Sequence, residues 1–302
     1  MTGAAAREAA SGSSAAFTRE QTIRMRLRRF LPSVLILVTV LALPSAALVF
    51  GERDQPLPPQ TPGFHPGRII DDEDFYNGQA MTADQVQAFL DRMQPVCADG
   101  GQCLARYRTA LPEFPASARC AKVPGRPSAS AAEIIEVVGR ACRISQEVIL
   151  VILEKEQSLI SNAHPDPIRY DRAMGYYCPD DPKRPGWCDP EFGGFARQVY
   201  YAAAQFQRYR QEPHKFTYQS GEVEEIAYAP NAPECGSIEV LIENDATAGL
   251  YNYTPYAPNE AALDPSSLDG DACSAFGNRN FWRFYNAWFG NPELLGEWAE
   301  RT

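Results

Sequence analysis

The eight cysteines of this chain constrain its fold more than any other feature. All of them follow residue 96; they are Cys97, Cys103, Cys120, Cys142, Cys178, Cys188, Cys235 and Cys273. An even number of cysteines in an oxidising compartment indicates disulfides. Cys97 with Cys103, and Cys178 with Cys188, would close short polar loops that contain glycine. Order along the chain then predicts Cys120 with Cys142 and Cys235 with Cys273. A zinc site is the alternative, but the chain has no Cys-x-x-Cys pair and its three histidines are isolated, so we expect no metal and no cofactor.

Residues 24–50 predict export, which supplies that compartment. Four arginines between Arg24 and Arg29 precede the apolar run from Leu31 to Leu43, and the small residues Ser45 and Ala47 follow. This is the pattern of a secretory signal peptide with cleavage after Ala47. Continued to residue 50, the stretch is nearly long enough for an uncleaved membrane anchor. We expect an extracytoplasmic protein, secreted or membrane-anchored, that faces the cell wall.

The composition along the chain predicts one folded domain with appendages. Residues 1–29 form the cytoplasmic or signal n-region, and residues 30–50 the signal peptide or anchor. Residues 51–67 contain five prolines and predict an extended linker. Residues 68–292 form the extracytoplasmic domain, and residues 293–302 a C-terminal tail.

Charge limits the partners of the exported part. Residues 1–50 contain six arginines and two glutamates, which leaves 22 basic and 36 acidic residues, a net charge of −14, in the rest of the chain. That field opposes nucleic acid and offers no basic patch for anionic lipid or wall polymers. Any wall substrate must be bound by shape and by hydrogen bonds.

Hydrophobic periodicity predicts a mainly α fold (α+β) with a small β-hairpin, stapled by disulfides. Two capping boxes, Thr82 with Gln85 and Ser130 with Glu133, open helices. Further helices are predicted from Ser145, over 194–210, over 245–251 and over 280–289, the last with Trp282 on its exposed side. Runs 223–228 and 238–242 predict the hairpin.

Glu156 occupies an aliphatic position in the helix that begins at Ser145. With about 100° per residue, it shares one stripe with Ile149, Ile152, Leu153, Leu159 and Ile160, whereas Glu154 points away towards solvent. An apolar environment favours the protonated carboxyl, which is the form that general acid catalysis of glycoside cleavage needs. The alternative is a structural carboxylate satisfied by an arginine or by backbone donors.

The order of several short motifs resembles the lysozyme-like superfamily, in particular soluble lytic transglycosylases and goose-type lysozymes. The motifs are Glu156-Gln157-Ser158 late in an apolar helix, Ala173-Met174-Gly175-Tyr176, a long helix from Gly194, and Leu250-Tyr251-Asn252. The resemblance covers roughly residues 130–255. It departs from the family where Gln157 separates Glu from Ser and where Tyr176-Tyr177-Cys178 replaces Leu-Met-Gln.

The chain also looks like a group of exported, wall-associated bacterial proteins often called haemagglutinin-like. The shared features include Phe75-Tyr76-Asn77, Lys155-Glu156-Gln157-Ser158, Tyr251-Asn252-Tyr253-Thr254-Pro255-Tyr256 and Gly277-Asn278-Arg279-Asn280-Phe281-Trp282. This resemblance covers nearly all of residues 70–290. It says little about chemistry.

The lysozyme-like resemblance implies a role for each matching residue. Glu156 would protonate the glycosidic oxygen between N-acetylmuramic acid and N-acetylglucosamine and then act as base, with Tyr251 orienting it. Gly175 would line the cleft. Asn252 and Ser158 are further expected substrate contacts, although the inserted Gln157 rotates Ser158 to the far side of the helix. The aromatic residues Tyr176, Tyr177 and Trp187 flank the proposed cleft in loops, where their rings are expected either to stack on a saccharide or to serve packing alone.

The predicted function is therefore a peptidoglycan-cleaving enzyme of the lytic transglycosylase type, a monomer acting on glycan strands. Muramidase hydrolysis is an alternative; it needs a second carboxylate, for which Asp171, Asp180, Asp189 and Glu191 are candidates. A non-catalytic wall- or glycan-binding adhesin that keeps the lysozyme-like fold is the alternative from another class.

Overall fold

The computed structural model describes residues 63–301, except residues 95, 98–101, 179–182, 185–186 and 268. The predicted signal peptide or anchor and most of the predicted linker therefore lie outside the described residues. Within the described part, the helices are too short or too polar to span a membrane.

Nine α-helices and four strands form the described part of the chain. In chain order they are α1 (Asp72–Phe75), α2 (Ala83–Met93), β1 (Arg108–Leu111), β2 (Arg126–Ser130), α3 (Ala131–Cys142), α4 (Gln146–Gln157), α5 (Pro167–Asp171), α6 (Phe195–Gln211), β3 (Val223–Ala227), β4 (Ser237–Leu241), α7 (Asp245–Tyr253), α8 (Glu260–Leu263) and α9 (Gly277–Trp288). Short 3₁₀ turns lie at Leu104–Arg106, Pro190–Phe192, Pro213–Lys215 and Pro233–Cys235, and another 3₁₀ segment covers Pro292–Arg301.

Both predicted capping boxes are present. The Thr82 hydroxyl accepts from the Gln85 amide while the Gln85 side chain accepts from Thr82, and Ser130 and Glu133 bond in the same reciprocal way. These bonds satisfy amide groups that a helix start leaves unpaired, so they fix where α2 and α3 begin. Ser145 precedes α4 as predicted, but its side chain makes no capping hydrogen bond.

Two antiparallel hairpins accompany the helices. In the hairpin formed by β3 and β4, Val223 lies opposite Leu241 and Glu225 opposite Glu239. The other hairpin, β1 with β2, was not predicted because its short strands carry few apolar residues.

The core packs around α3, α4, α6, α7 and α9. Val148 to Glu154 of α4 are buried without interruption, so this helix is enclosed on all sides. Trp282 of α9 is also buried, and its ring forms a T-shaped pair with the ring of Phe64, with centroids 5.7 Å apart. The expectation of an exposed Trp282 is therefore wrong. Phe64, in the segment before residue 68, covers the Trp282 ring.

The four disulfides join the predicted pairs: Cys97–Cys103, Cys120–Cys142, Cys178–Cys188 and Cys235–Cys273. No cysteine is left free. The expectation of a mainly helical, disulfide-stapled domain with a small β element is confirmed, with two hairpins in place of one.

Candidate functional site

The C-terminal end of α4 carries two carboxylates with different surroundings. Ser158 ends the helix in the left-handed conformation, with φ of 53°, and the chain folds back over its last turn. Glu154 lies under this turn with 7% of its surface exposed. Its carboxylate accepts from the amides of Ile160 and Ser161, at 2.9 and 3.0 Å, and from the Ser161 hydroxyl at 2.7 Å. The prediction of a solvated Glu154 is wrong, because residues 159–161 cover it.

Glu156 is the more accessible of the two, with 25% of its side chain exposed. The Lys155 ammonium lies 2.7 Å from its Oε1, and the Lys155 side chain is almost fully buried. The same ammonium donates to the Thr254 hydroxyl at 2.8 Å and lies 5.9 Å from the centre of the Tyr253 ring. The Lys155 ammonium therefore holds one oxygen of Glu156. Tyr253, at the end of α7, and Thr254, the next residue, hold that ammonium in place.

The second oxygen of Glu156 faces the backbone of Gly175. Gly175 has φ of +72°, a conformation that favours glycine. A Cβ atom at this position would lie 2.7 Å from Glu156 Oε2. Both the backbone angle and the close approach therefore require glycine here, and the backbone of residues 174–176 forms the wall against which the carboxylate rests.

The fully buried amide side chain of Gln198, in α6, fixes this wall. Its Oε1 accepts from the amides of Met174 and Tyr176, at 3.2 and 3.0 Å. Its Nε2 donates to the carbonyls of Tyr176 and Phe192, both at 3.0 Å. Sequence reasoning missed Gln198; the only sequence signal was a polar residue on the inward face of a long helix.

A cleft of about 390 Å³ opens beside this wall. Its lining includes Gly175, Tyr176, Tyr177, Arg208 and Tyr253. The Tyr177 side chain is 56% exposed and packs 4.6 Å, between ring centres, from Phe192. Tyr176 is partly buried and stacks on Tyr201 at 5.9 Å. The predicted contacts Gly175, Tyr176 and Tyr177 are thus brought together at one cleft.

Tyr253, and not Tyr251, is the α7 tyrosine next to Glu156. The Tyr253 hydroxyl donates to the Met174 carbonyl at 2.8 Å, and burial, together with the Glu156 charge, raises its pKa well above the ordinary value. The Tyr251 hydroxyl donates instead to the Pro66 carbonyl at 3.0 Å. The expectation that Tyr251 orients Glu156 is therefore corrected: two helical positions apart, the two tyrosines leave α7 on nearly opposite sides.

The remaining predicted contacts lie elsewhere. Both ends of the Asn252 amide bond the backbone of Tyr218, at 2.7 and 3.1 Å, so this side chain has a structural role. Trp187 lines a different pocket, of about 370 Å³, and the Arg184 guanidinium lies 3.8 Å from the centre of its ring. Ser158 is exposed at the end of α4.

The described candidates for a second carboxylate, Asp171, Asp189 and Glu191, do not line the Tyr177 cleft. Asp171 and Asp189 border the pocket that contains Trp187, and Glu191 is exposed on the neighbouring 3₁₀ turn. Asp180 lies outside the described residues. In the described part of the chain, no group of three or more His, Cys, Asp or Glu side chains could hold a metal ion.

Comparison with known proteins gives one family. The model of the LasA N-terminal domain matches residues 68–300 of the 302-residue chain. No curated protein matches. No solved structure matches either. The lysozyme-like resemblance is not among these findings and stays a prediction. Together with the four disulfides, the match indicates an extracytoplasmic protein. Because it covers most of the sequence, the chain belongs to the LasA N-terminal domain family.

Proposed function

We propose that this protein is an exported peptidoglycan-cleaving enzyme that acts, like a lytic transglycosylase, on the bond between N-acetylmuramic acid and N-acetylglucosamine. One observation carries the proposal: the Glu156 carboxylate rests against a glycine-only backbone wall beside a cleft with an exposed tyrosine. The motif order that resembles the lysozyme-like superfamily adds the substrate class.

Glu156 is the proposed acid and base. Protonated, it gives its proton to the glycosidic oxygen as the bond to the leaving sugar breaks. The resulting carboxylate then takes a proton from the muramic acid hydroxyl that closes the anhydro ring. Gly175 matters here because its missing side chain leaves Oε2 next to the cleft.

A lone carboxylate favours ring closure over hydrolysis. Inverting and retaining hydrolases of the usual kind place a second carboxylate within about 5–10 Å of the first. Among the described residues, no carboxylate lines the Tyr177 cleft itself. Glu156 lies directly behind the lining residue Gly175, where the three atoms nearest to a Cβ would all belong to the Glu156 side chain. This supports transglycosylase chemistry over hydrolysis. Hydrolysis by a muramidase would be recognised by its products in the test below.

Tyr176, Tyr177 and Tyr253 are the proposed sugar contacts. Aromatic rings stack on the apolar faces of sugar rings, and a partly exposed ring beside a cleft has a free face for this. The net negative charge of the exported part agrees with a substrate bound by stacking and hydrogen bonds. The proposal places the protein at the wall as a monomer, secreted or anchored by residues 30–50.

A non-catalytic glycan-binding protein is the second candidate, and the Lys155 contact favours it. A carboxylate whose oxygen lies 2.7 Å from a buried ammonium is fixed in position as a hydrogen-bond acceptor. Such a Glu156 would bind sugar hydroxyls without cleaving the chain.

The test is to incubate the oxidised protein with purified peptidoglycan and to identify soluble products by mass, with Glu156→Gln as the control. Anhydro-muropeptides that disappear in the control support the proposal. Products with reducing ends assign hydrolysis instead. Binding without release assigns the glycan-binding function, and cleavage that survives Glu156→Gln overturns the role of this residue.

A further inference from the structure

The region from β3 to α8 is strongly acidic. Residues 216–278 contain eleven aspartates and glutamates and no lysine or arginine. On the exposed face of the β3–β4 hairpin, Glu225 and Glu239 lie directly opposite each other. Like charges at such a cross-strand position repel. The ion pairs formed by the described residues include neither of these two carboxylates. A positive charge from outside would relieve the repulsion.

The outer edge of β4 has free backbone groups. Ile242 donates to Glu222 and Tyr228 donates to Gly236, so the even-numbered residues of β4 direct their backbone groups towards β3. In an antiparallel pair, the backbone groups of successive residues point alternately towards the partner strand and away from it. The N–H and C=O of Glu239 therefore lie on the outer edge of β4. Outside the hairpin, the described residues give the Glu239 backbone no hydrogen-bond partner.

A neighbouring stretch of chain already uses the far end of this edge. The Glu243 amide donates to the Gly67 carbonyl at 2.9 Å, and a Cβ on Gly67 would lie 2.3 Å from the Leu241 carbonyl oxygen. The segment from Phe64 to Gly67 therefore closes the edge near Leu241. Beyond it, towards Glu239, the edge is open.

A groove of about 400 Å³ follows the open part of the edge. Ile238, Val240 and Phe64 give it an apolar floor, and Glu239 and Glu260 border it. Among the described residues, its lining includes His65 but no lysine or arginine. This size and character suit about three residues of an extended peptide.

We propose that this groove, named here the β4 groove, binds an extended segment of a partner protein in which apolar and basic residues alternate. The partner segment adds to the outer edge of β4 through the Glu239 N–H and C=O. Successive side chains of an added strand point to opposite faces. Those on the Glu239 face meet the two carboxylates and are basic; those on the other face enter the groove beside Ile238 and Val240 and are apolar.

Charge and position distinguish this partner from the alternatives. A second copy of this chain would bring its own acidic hairpin to the same edge, where the like charges repel. The groove also lies apart from the Tyr177 cleft, because the described linings of the two share no residue. Pro66 of the groove accepts from the Tyr251 hydroxyl of α7, whereas Tyr253 of α7 lines the cleft. Binding here is therefore independent of the proposed glycan chemistry.

The test uses synthetic five-residue probes with blocked ends. The probe acetyl-Lys-Val-Lys-Val-Lys-amide is titrated into the oxidised protein by calorimetry, while amide NMR shifts are followed. We expect it to bind about tenfold or more tightly than the same peptide with glutamate for lysine, because two carboxylates face the basic side chains. The Glu239 amide should shift on binding, and added salt should weaken the complex.

Two controls separate edge pairing from general attraction between charges. A probe with methylated backbone nitrogens keeps its charge but cannot pair with β4, and it should not bind. Glu239→Gln should weaken binding about three- to tenfold, whereas Glu234→Gln, a charge loss in the turn of the same hairpin, should leave it unchanged.

Equal affinity for the lysine and glutamate probes, or binding that leaves the NMR shift of the Glu239 amide unchanged, overturns the proposal. Self-association through the Glu239 edge without any probe assigns the groove to a second copy and also overturns it.

Discussion

Glu154 and Glu156 leave the same helix two residues apart, yet the protein uses them in different ways. Glu154 is almost fully buried and three donors satisfy its carboxylate. Glu156 is partly exposed; one oxygen meets Lys155 and the other faces Gly175 beside the cleft. Burial alone therefore does not distinguish the carboxyl that is proposed to react from the one that supports the fold. A carboxyl oxygen that still has room to accept or donate a hydrogen bond is a better guide to a candidate acid.

The largest effect is expected from Glu156→Gln. The variant keeps the shape of the side chain but cannot transfer a proton, so release of soluble muropeptides should fall by about 10²- to 10⁴-fold. Its melting temperature should fall only slightly, because the amide oxygen of glutamine can still accept from the buried Lys155 ammonium. A rate measured on purified peptidoglycan checks the first point and a thermal melt the second. If Glu156→Gln retains its activity, the proposed difference in function between Glu156 and Glu154 is wrong.

Glu154→Gln should give the opposite pattern. The glutamine carbonyl oxygen can still accept from the Ile160 and Ser161 amides, but its NH2 group cannot accept, so the Ser161 hydroxyl must turn to accept instead. All three hydrogen bonds also lose the charge of the carboxylate in a buried site. We expect the free energy of unfolding to fall by about 2–4 kcal/mol in denaturant titrations. Cleavage per folded molecule should not change. A stable variant with no activity would mean that the two carboxylates have been assigned the wrong way round.

Gly175→Ala tests the wall between Glu156 and the cleft. The new methyl group meets Glu156 Oε2 and sits on a left-handed backbone, so we expect about 1–3 kcal/mol of lost stability and about a tenfold lower rate. Gly221→Ala is the matched control. Gly221 also has positive φ, at +84°, but a Cβ there would meet no atom within 4 Å. If both variants lose activity equally, backbone strain alone explains the loss.

Lys155→Met tests the ion pair that holds Glu156. Methionine can donate neither to Glu156 Oε1 nor to the Thr254 hydroxyl, so the carboxylate loses the group that fixes its position. We expect the rate of cleavage, measured on purified peptidoglycan, to fall about three- to tenfold. Thr254→Val keeps the ion pair and removes one hydrogen bond of Lys155. A loss of the same size in that control would exclude the ion pair as the cause.

The smallest effect is expected at Glu147, a third carboxylate of α4. Burial raises its pKa and Asp74 adds to the rise, while a hydrogen bond from Tyr285 opposes it. A raised pKa means that folding prefers the protonated form, so the stabilisation is present at acid pH and is lost as pH rises through the folded value. Glu147→Gln should therefore gain stability relative to the parent between about pH 4 and pH 7, by less than about 1 kcal/mol. Melting temperatures across this range measure it; a gain that grows towards acid pH would contradict the sign.

Local patterns made most of the fold predictable. Capping residues and periodicity located α2, α3 and α6, and loop length with order along the chain paired the cysteines. The β1–β2 hairpin could not be found in this way, because its strands are short and mostly polar. The burial of Trp282 depends on Phe64, more than two hundred residues away, and no local pattern reports such a contact.

The candidate site was predictable only in part. The apolar stripe pointed to Glu156, and the motif order pointed to Gly175. The stripe argument failed for Glu154, because a helix enclosed on all sides has no solvent face for periodicity to identify. Tyr253 was overlooked in favour of Tyr251, since which side of α7 meets α4 is set by tertiary packing. Gln198 has no motif at all.

The four hydrogen bonds of Gln198 also determine how the cleft wall opens. The Met174 and Tyr176 amides share one acceptor atom, Oε1, so neither can be released to solvent by moving that side chain without releasing the other. Their hydrogen–deuterium exchange should therefore proceed through a common opening event and at coupled rates, although a left-handed glycine separates them. The backbone of residues 174–176 would therefore open and close together with α6. The time for which it stays closed would be the time for which the Gln198 side chain keeps its hydrogen bonds.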